Sequence, residues 1–259
     1  MEKIENSFEG NKKETEKERL EKIKNDLFSR EVPEEYKELA AQVKLIELSA
    51  PYAENLHNLF YEGNKESEEL SELGKIISET AKGEIVLDLG CGKTHYLSSF
   101  FSKNGADLYI GVDLEPDIYG HVVKEILSEI KDRSYMRSKS HFCSVVENDN
   151  EKELKDEKKD QEPVYELQGN KLQVKDDMLK AASRIKSESV NLVIVGGIEM
   201  SAENIKETTE YLSFLELEIE RILKSEGMLL VYQSDFSMEN FSLINEGSDG
   251  SWCIFKKNE

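Results

Sequence analysis

The sequence has few cysteines and no long apolar run. Its three cysteines, Cys91, Cys143 and Cys253, are far apart and odd in number, so neither a zinc-ligand spacing nor a disulfide framework is indicated. No stretch of about 18 apolar residues exists that could span a bilayer. Residues 1–5 also lack the apolar core of a signal peptide. We therefore expect a cytoplasmic protein with no membrane association and no structural metal.

The composition is polar and strongly acidic. Hydrophobic residues make up 38% of the 259 positions and charged residues 34%, which suits one large α/β domain with polar extensions. The formal net charge is −20. A surface this acidic repels phosphate backbones, so nucleic acid is a less favoured partner than a small molecule or a protein.

The most informative stretch reads as a strand, a glycine turn and a helix. Residues 85–87 form a short apolar run typical of a buried parallel strand, and Asp88 ends it. Gly90 and Gly92 then turn the chain, and apolar residues resume at helical spacing from Tyr96. A glycine turn lets a ligand approach the backbone, and the following helix offers free N–H groups to a negatively charged ligand part.

Two common glycine-rich motifs do not fit this stretch. A dinucleotide fingerprint needs a third glycine where His95 stands, and a phosphate-binding P-loop needs a glycine where Leu87 stands. NAD and ATP are therefore disfavoured. A glycine turn of some other doubly wound protein stays open as an alternative.

The stretch resembles the first motif of the class I S-adenosylmethionine-dependent methyltransferases. The agreement covers residues 86–92, Val-Leu-Asp-Leu-Gly-Cys-Gly, whereas Thr94 stands where the family usually has a third glycine. The resemblance implies an α/β fold: a seven-stranded Rossmann-like sheet with helices on both faces and a terminal antiparallel hairpin. It implies S-adenosyl-L-methionine as the cofactor. The motif residues it assigns to cofactor binding are Asp88, Leu89, Gly90, Cys91 and Gly92.

A second acidic residue is placed to bind the ribose. Residues 108–112 form an apolar run, and Asp113 follows it 21 positions after Gly92. A carboxylate at about this distance from a glycine turn can accept hydrogen bonds from ribose hydroxyls. Residues 111–116 also resemble the family's second motif, which adds Leu114 to the predicted site. An acidic helix cap is the alternative for Asp113.

The last predicted site residues follow the third and fourth strands. The third, residues 172–174, leads into Asp176, Asp177 and Met178. In the family, an acidic residue here accepts the adenine amino group and the next backbone N–H serves a ring nitrogen. Met178 or Leu179 would pack on the adenine face. Asp176 as a helix cap is compatible with that role. The fourth strand, residues 190–195, ends at Gly196, which leaves room for the methyl group and its acceptor.

The domain organisation is predicted from the distribution of charged residues and from the prolines and glycines that end helices. We expect an N-terminal helical extension over residues 1–75, acting either as a cap on the cofactor or as a brace on one sheet face. The methyltransferase domain would span residues 76–259, with a charged insert at about 131–170 that is a solvated loop or a partner-binding arm. Two short strands near 141–146 and 164–167 could pair within it. Downstream, Gly227 is predicted to end a long helix, and residues 241–244 and 252–255 to form the hairpin.

The predicted function is methyl transfer from S-adenosyl-L-methionine to an unidentified small-molecule or protein acceptor. The Asn-Pro-Pro-Tyr stretch of base-amino methylators is missing after the fourth strand. No catalytic residue is assigned. The candidates for a general base are His57, His95, His121, His141, Tyr61, Tyr96 and Glu199. The alternatives are a non-catalytic methyltransferase-like partner subunit, for which Thr94 and Asn191 are departures from the family pattern, and aminopropyl transfer.

Overall fold

The computed structural model describes most of the strands and helices that the sequence predicts. The described residues are 14–43, 46–47, 59–61, 69–92, 96–114, 116, 162–196, 198–199, 205–232, 240–247 and 252–258. The predicted helix over 118–130, the strand over 141–146, residue Thr94 and all four histidines lie outside them.

The described part of the chain begins with two helices and ends with three strands, and helices and strands are mixed between them. The helices are α1 (Glu16–Leu27), α2 (Glu34–Gln42), α3 (Glu72–Ala81), α4 (Tyr96–Lys103), α5 (Met178–Arg184) and α6 (Ile205–Ile222). The strands are β1 (Ile46–Glu47), β2 (Ile85–Leu89), β3 (Leu108–Asp113), β4 (Val164–Gln168), β5 (Lys171–Lys175), β6 (Val190–Gly196), β7 (Ile198–Glu199), β8 (Leu223–Tyr232), β9 (Phe241–Glu246) and β10 (Trp252–Lys257).

The central sheet has eight strands in the order β4-β5-β3-β2-β6-β8-β10-β9. Strands β5, β3, β2, β6 and β8 are parallel, β4 and β10 run the opposite way, and β10 lies between β8 and β9. The predicted count was seven. The additional strand is β4, which pairs antiparallel with β5 across Gly169 and Asn170. Residues 164–168 therefore belong to the sheet, although the predicted insert included them.

Alternate residues of each strand face two separate apolar layers. On β2, Leu87 and Leu89 belong to one layer and Val86 to the other, because successive side chains of a strand point to opposite faces. The first layer is covered by α1, α2, α5 and α6, and the second by α3 and α4. The sheet is thus enclosed by helices on both faces, as is usual for parallel strands.

The N-terminal helices are joined to the first layer by a buried charged group. Glu218 of α6, whose side chain is 7% exposed, accepts hydrogen bonds from Tyr36 of α2 at 3.2 Å and from Arg221 at 2.6 Å. Arg30, between α1 and α2, forms an ion pair with the same carboxylate at 3.4 Å. Helices α1 and α2 therefore pack on the same sheet face as α5 and α6.

The start of β8 differs from the prediction. Helix α6 ends at Ile222 and β8 begins at Leu223, so Gly227 lies within the strand and does not cap the helix. The left-handed residue there is Glu226, with φ +63°. A Cβ on Gly227 would lie 2.9 Å from the carbonyl oxygen of Lys224, so close packing explains the glycine.

Asn191 has a structural role at the amino end of β6. Its side-chain amide donates a hydrogen bond to the carbonyl oxygen of Thr80, at 2.8 Å, and so joins β6 to α3. A carboxylate cannot donate this bond. This hydrogen bond explains why asparagine stands at position 191, where the family often has aspartate. Asn191 lies at the end of β6 opposite to Gly196.

Candidate functional site

The carboxyl ends of the parallel strands bring the predicted site residues together. In the sheet register Leu89 pairs with Val112 and Val195, and Asp113 pairs with Lys175. The segments that follow β2, β3, β5 and β6 therefore start at one edge of the sheet. Ligands of open α/β sheets bind at this edge.

The first glycine of the turn lies directly against two other predicted site residues. Gly90 has φ +82°, and its N–H donates to the carbonyl oxygen of Val112 at 2.9 Å. A Cβ at Gly90 would lie 3.1 Å from the carbonyl oxygen of Gly196 and 3.4 Å from the sulfur of Met178. Any larger residue would crowd β6 and α5 and would also be strained at this φ.

The second glycine is held by Asp113. Gly92 has φ +59°, and within the described part of the chain a Cβ there would meet no atom within 4 Å. Its N–H donates to Asp113 Oδ2 at 3.0 Å. Asp113 is 6% exposed. This carboxylate therefore fixes the turn from the neighbouring strand.

Asp88 is fully buried beside the turn. Its Oδ2 accepts a hydrogen bond from the Tyr109 hydroxyl, and its Oδ1 has no partner among the described residues. Burial raises the pKa of Asp88 to about 7; the Tyr109 hydrogen bond opposes this shift and the charge of Asp113 adds to it. A buried carboxylate oxygen without a partner is costly, so it has capacity for a donor from a ligand.

Asp176 has a different set of partners from the one expected. Its side chain is 2% exposed and forms ion pairs with Arg184 and with Lys180, the latter at 3.2 Å. Its Oδ1 also accepts the N–H of Asp177 at 2.9 Å. Both the carboxylate and the N–H that the resemblance assigns to adenine are thus engaged with groups of the chain. The Asp176 N–H donates to the carbonyl oxygen of Asp113 at 3.0 Å, which keeps the ends of β3 and β5 together.

Asp177 caps α5 and retains acceptor capacity. Its Oδ1 accepts the N–H groups of Leu179 at 2.9 Å and Lys180 at 3.2 Å, which stabilises the helix start. The Tyr211 hydroxyl lies 3.0 Å from its Oδ2. Desolvation raises the pKa of Asp177, whereas the Lys180 N–H and the Tyr211 hydroxyl lower it. Among the described residues each aspartate has one oxygen with a single partner: Asp176 Oδ2 pairs with the Arg184 guanidinium, whereas Asp177 Oδ2 is bound by a neutral hydroxyl.

The remaining predicted residues take less specific positions. Leu89 and Cys91 are buried, and Leu114 is 36% exposed just after β3. Among the candidates for a general base, Tyr96 is 45% exposed at the start of α4. None of these placements identifies a catalytic group.

Two tyrosines of the site were missed by sequence reasoning. Tyr109 lies within an apolar strand and Tyr211 within an amphipathic helix, and both are fully buried. Their periodicity predicts core positions, which is correct, but the hydroxyl partners Asp88 and Asp177 lie on other elements. No local signal in the sequence distinguishes such a tyrosine from an ordinary core aromatic residue.

Of the helices that the structure describes, none is both long and apolar enough to cross a bilayer. No family model matches the chain. No curated protein matches it at a significant level.

Comparison with solved structures gives remote similarities. NodS, an N-methyltransferase from Bradyrhizobium japonicum WM9, is 10% identical with a TM-score of 0.41, over 73% of this chain and 93% of that one. An rRNA methylase from Streptococcus thermophilus is 10% identical with a TM-score of 0.36, over 71% and 93%. The protein yhhF from Escherichia coli, assigned as a methyltransferase, is 14% identical with a TM-score of 0.42, over 72% and 82%. Many of the solved structures that this chain is similar to are class I S-adenosylmethionine-dependent methyltransferases.

Proposed function

We propose that this protein binds S-adenosyl-L-methionine at the carboxyl ends of β2, β3, β5 and β6 and transfers its methyl group to an acceptor. The observation that carries the proposal is the turn at Gly90 and Gly92. Both glycines are left-handed, and a Cβ at Gly92 would meet no described atom within 4 Å. The Gly92 N–H is held by a buried carboxylate, Asp113, from the neighbouring strand. A ligand with a hydroxylated ring and an extended tail fits such an edge.

The residues present suit the parts of this cofactor. Asp113 would accept the ribose hydroxyls, since the two oxygens of a carboxylate together offer about four acceptor sites. Met178 would lie against the adenine, and Asp177 Oδ2 would accept its amino group. The unpartnered Oδ1 of Asp88 has capacity for one more donor. Gly196 would leave room beside the reacting centre.

The bound cofactor supplies an electrophilic methyl group. The contribution of the chain is then to hold the acceptor in line with it, since positioning accounts for much of the catalysis of such a transfer. A small molecule or a protein is the favoured acceptor, because the net charge of −20 disfavours binding of the negatively charged nucleic acids. A cytoplasmic location, the division at residue 75 and a partner-binding role of the charged insert remain predictions.

Calorimetric titration of the purified chain with S-adenosyl-L-methionine and with S-adenosylhomocysteine tests the proposal. We expect binding of both ligands with one site per chain. Turnover is then measured as the formation of S-adenosylhomocysteine in the presence of candidate acceptors. Binding without turnover of any acceptor would favour the non-catalytic subunit, and absence of binding would reject the proposed function.

A further inference from the structure

We infer that Tyr211 is a positioning residue for the adenosyl site, because its hydroxyl fixes the Asp177 carboxylate that reads the adenine amino group. The inference rests on the proposed function. The inference goes beyond the proposed function by assigning a role in ligand discrimination to a core residue of α6.

The hydroxyl of Tyr211 is at the centre of a compact set of hydrogen bonds. Tyr211 is fully buried, and its hydroxyl oxygen lies 3.1 Å from Asp177 Oδ1 and 3.0 Å from Oδ2. The Leu179 N–H is shared between that oxygen, at 3.2 Å, and Asp177 Oδ1, at 2.9 Å. Since Leu179 supplies this proton, the hydroxyl proton is directed to the carboxylate.

The two oxygens of Asp177 have unequal partners. Oδ1 receives the N–H groups of Leu179 and Lys180 as the cap of α5. Within the described residues, Oδ2 receives only the Tyr211 hydroxyl. A carboxylate oxygen can accept two hydrogen bonds, so Oδ2 has a lone pair for a ligand amine.

The side chain of an aspartate does not fix its own carboxylate plane. Rotation about its last torsion is broad, with no sharp staggered minima. The two N–H donors bind Oδ1 and leave the direction of Oδ2 less defined, whereas the Tyr211 hydroxyl engages Oδ2 from the core. Burial and the charge of Asp177 raise the pKa of Tyr211 well above its usual value, so the phenol remains a donor.

The position of Asp177 relative to the glycine turn connects this network to the site. Met178, the next residue, has its sulfur 3.4 Å from the point that a Cβ on Gly90 would occupy. Asp177 is therefore one residue from the wall of the turn.

The test compares Tyr211→Phe with Tyr36→Phe. Tyr36 is a matched control, because it is also a buried tyrosine bonded to a buried carboxylate, Glu218, at 3.2 Å, but it lies on α2. Calorimetry measures the affinity of each protein for S-adenosylhomocysteine and for its inosine analogue, in which a carbonyl oxygen replaces the adenine amine. Circular dichroism checks the fold of both variants.

We expect wild-type protein and Tyr36→Phe to prefer the adenine ligand by about tenfold or more, since a carboxylate facing a carbonyl oxygen loses a charge-assisted hydrogen bond. Tyr211→Phe should reduce this preference to about threefold or less. An unchanged preference in Tyr211→Phe, an equal reduction in Tyr36→Phe, or a Tyr211→Phe protein that does not fold would each overturn the inference.

The two ligands also distinguish failure of the adenine-reading role from failure of the proposed function. Wild-type protein that binds both ligands equally would overturn the adenine-reading role while leaving the proposed function intact. Wild-type protein that binds neither would overturn the proposed function itself.

Discussion

At the scale of single residues, Asp113 has two tasks that substitutions can separate. It holds the Gly92 N–H at 3.0 Å and, in the proposed function, binds the ribose. Asp113→Asn keeps an oxygen for the N–H but loses the charge, whereas Asp113→Ala loses both. We expect calorimetry to show about tenfold weaker binding of S-adenosylhomocysteine for the asparagine variant and a larger loss for the alanine variant.

The control for this experiment is Asp107→Ala, which removes an exposed carboxylate just before β3. It should bind like wild-type protein. An Asp113→Ala variant with unchanged affinity would reject the ribose assignment.

Asp88 should lower the free energy of unfolding as pH rises, which is opposite to the effect of an aspartate whose folded-state pKa is depressed. Burial raises its pKa to about 7 in the folded state, above the 3.8 of an ordinary aspartate. Between these values the folded state binds more protons than the unfolded state, so the free energy of unfolding falls as pH rises. An Asp88→Asn variant lacks this proton, so its free energy of unfolding should increase relative to wild type from about pH 4 to about pH 7 and then stay level. Urea denaturation at several pH values measures the difference.

Tyr109 supplies the internal comparison for that prediction. Its hydrogen bond lowers the pKa of Asp88, so Tyr109→Phe should move the fall in stability to higher pH. Wild-type and Asp88→Asn curves that stay parallel over the whole range would show that Asp88 does not titrate there.

The sequence predicts one half of each of these interactions. A carboxylate after an apolar run, at a fixed distance from a glycine turn, identifies Asp88 and Asp113 because backbone geometry is local. The partners of Asp88 and Asp177 arise from packing between different elements, as Tyr109 and Tyr211 show. Asp176 is instead bound by Lys180 and Arg184 of the helix that follows it. Local patterns therefore identify candidate site residues, but they do not predict which of the candidate carboxylates already have partners within the chain.

At the scale of elements, the connection of α1 and α2 to α6 depends on one buried carboxylate. Glu218→Gln leaves the facing guanidinium groups of Arg30 and Arg221 without their counter-charge. Removing one partner of a buried ion pair costs about 3 kcal/mol or more, and the half-exposed Arg30 reduces that figure toward about 2 kcal/mol. Urea denaturation should show this loss in the free energy of unfolding.

Glu210→Gln is the matched control, since Glu210 is an exposed glutamate on the same helix. It should change stability by less than about 0.5 kcal/mol. Equal stability of the two variants would show that the buried network contributes little and that apolar contacts alone hold α1 and α2.

Element boundaries were predicted best where apolar periodicity and breakers agree. Strands β2, β3 and β5 start and end near the predicted positions because short apolar runs are bounded by acidic residues or glycine. The start of β8 was wrong because a glycine after an amphipathic helix suggests a C-cap, whereas Gly227 is required by a close approach to Lys224. The pairing of β4 with β5 depends on a two-residue connection at Gly169 and Asn170 that the charge pattern of the insert obscured.

At the scale of the whole molecule, the sheet order assembles a site from distant segments. The glycine turn, Asp113, the Asp176–Met178 segment and Gly196 span more than a hundred positions of the sequence, yet the parallel register puts them at one edge. This convergence follows from the resemblance and the strand pattern together, because parallel strands joined by helices place all their carboxyl ends on the same side.

The overall charge predicts that RNA is not the acceptor, and the salt dependence of RNA binding can test this. A protein that binds nucleic acid through a basic face releases counterions, so its affinity rises steeply as salt is lowered. With a net charge of −20, we expect no binding of a fluorescent single-stranded or duplex RNA at about 0.15 M salt, and none at about 0.02 M, because weaker screening lengthens the range of repulsion. Fluorescence anisotropy measures both conditions. Binding that strengthens at low salt would reveal a local basic surface and would make RNA a favoured acceptor.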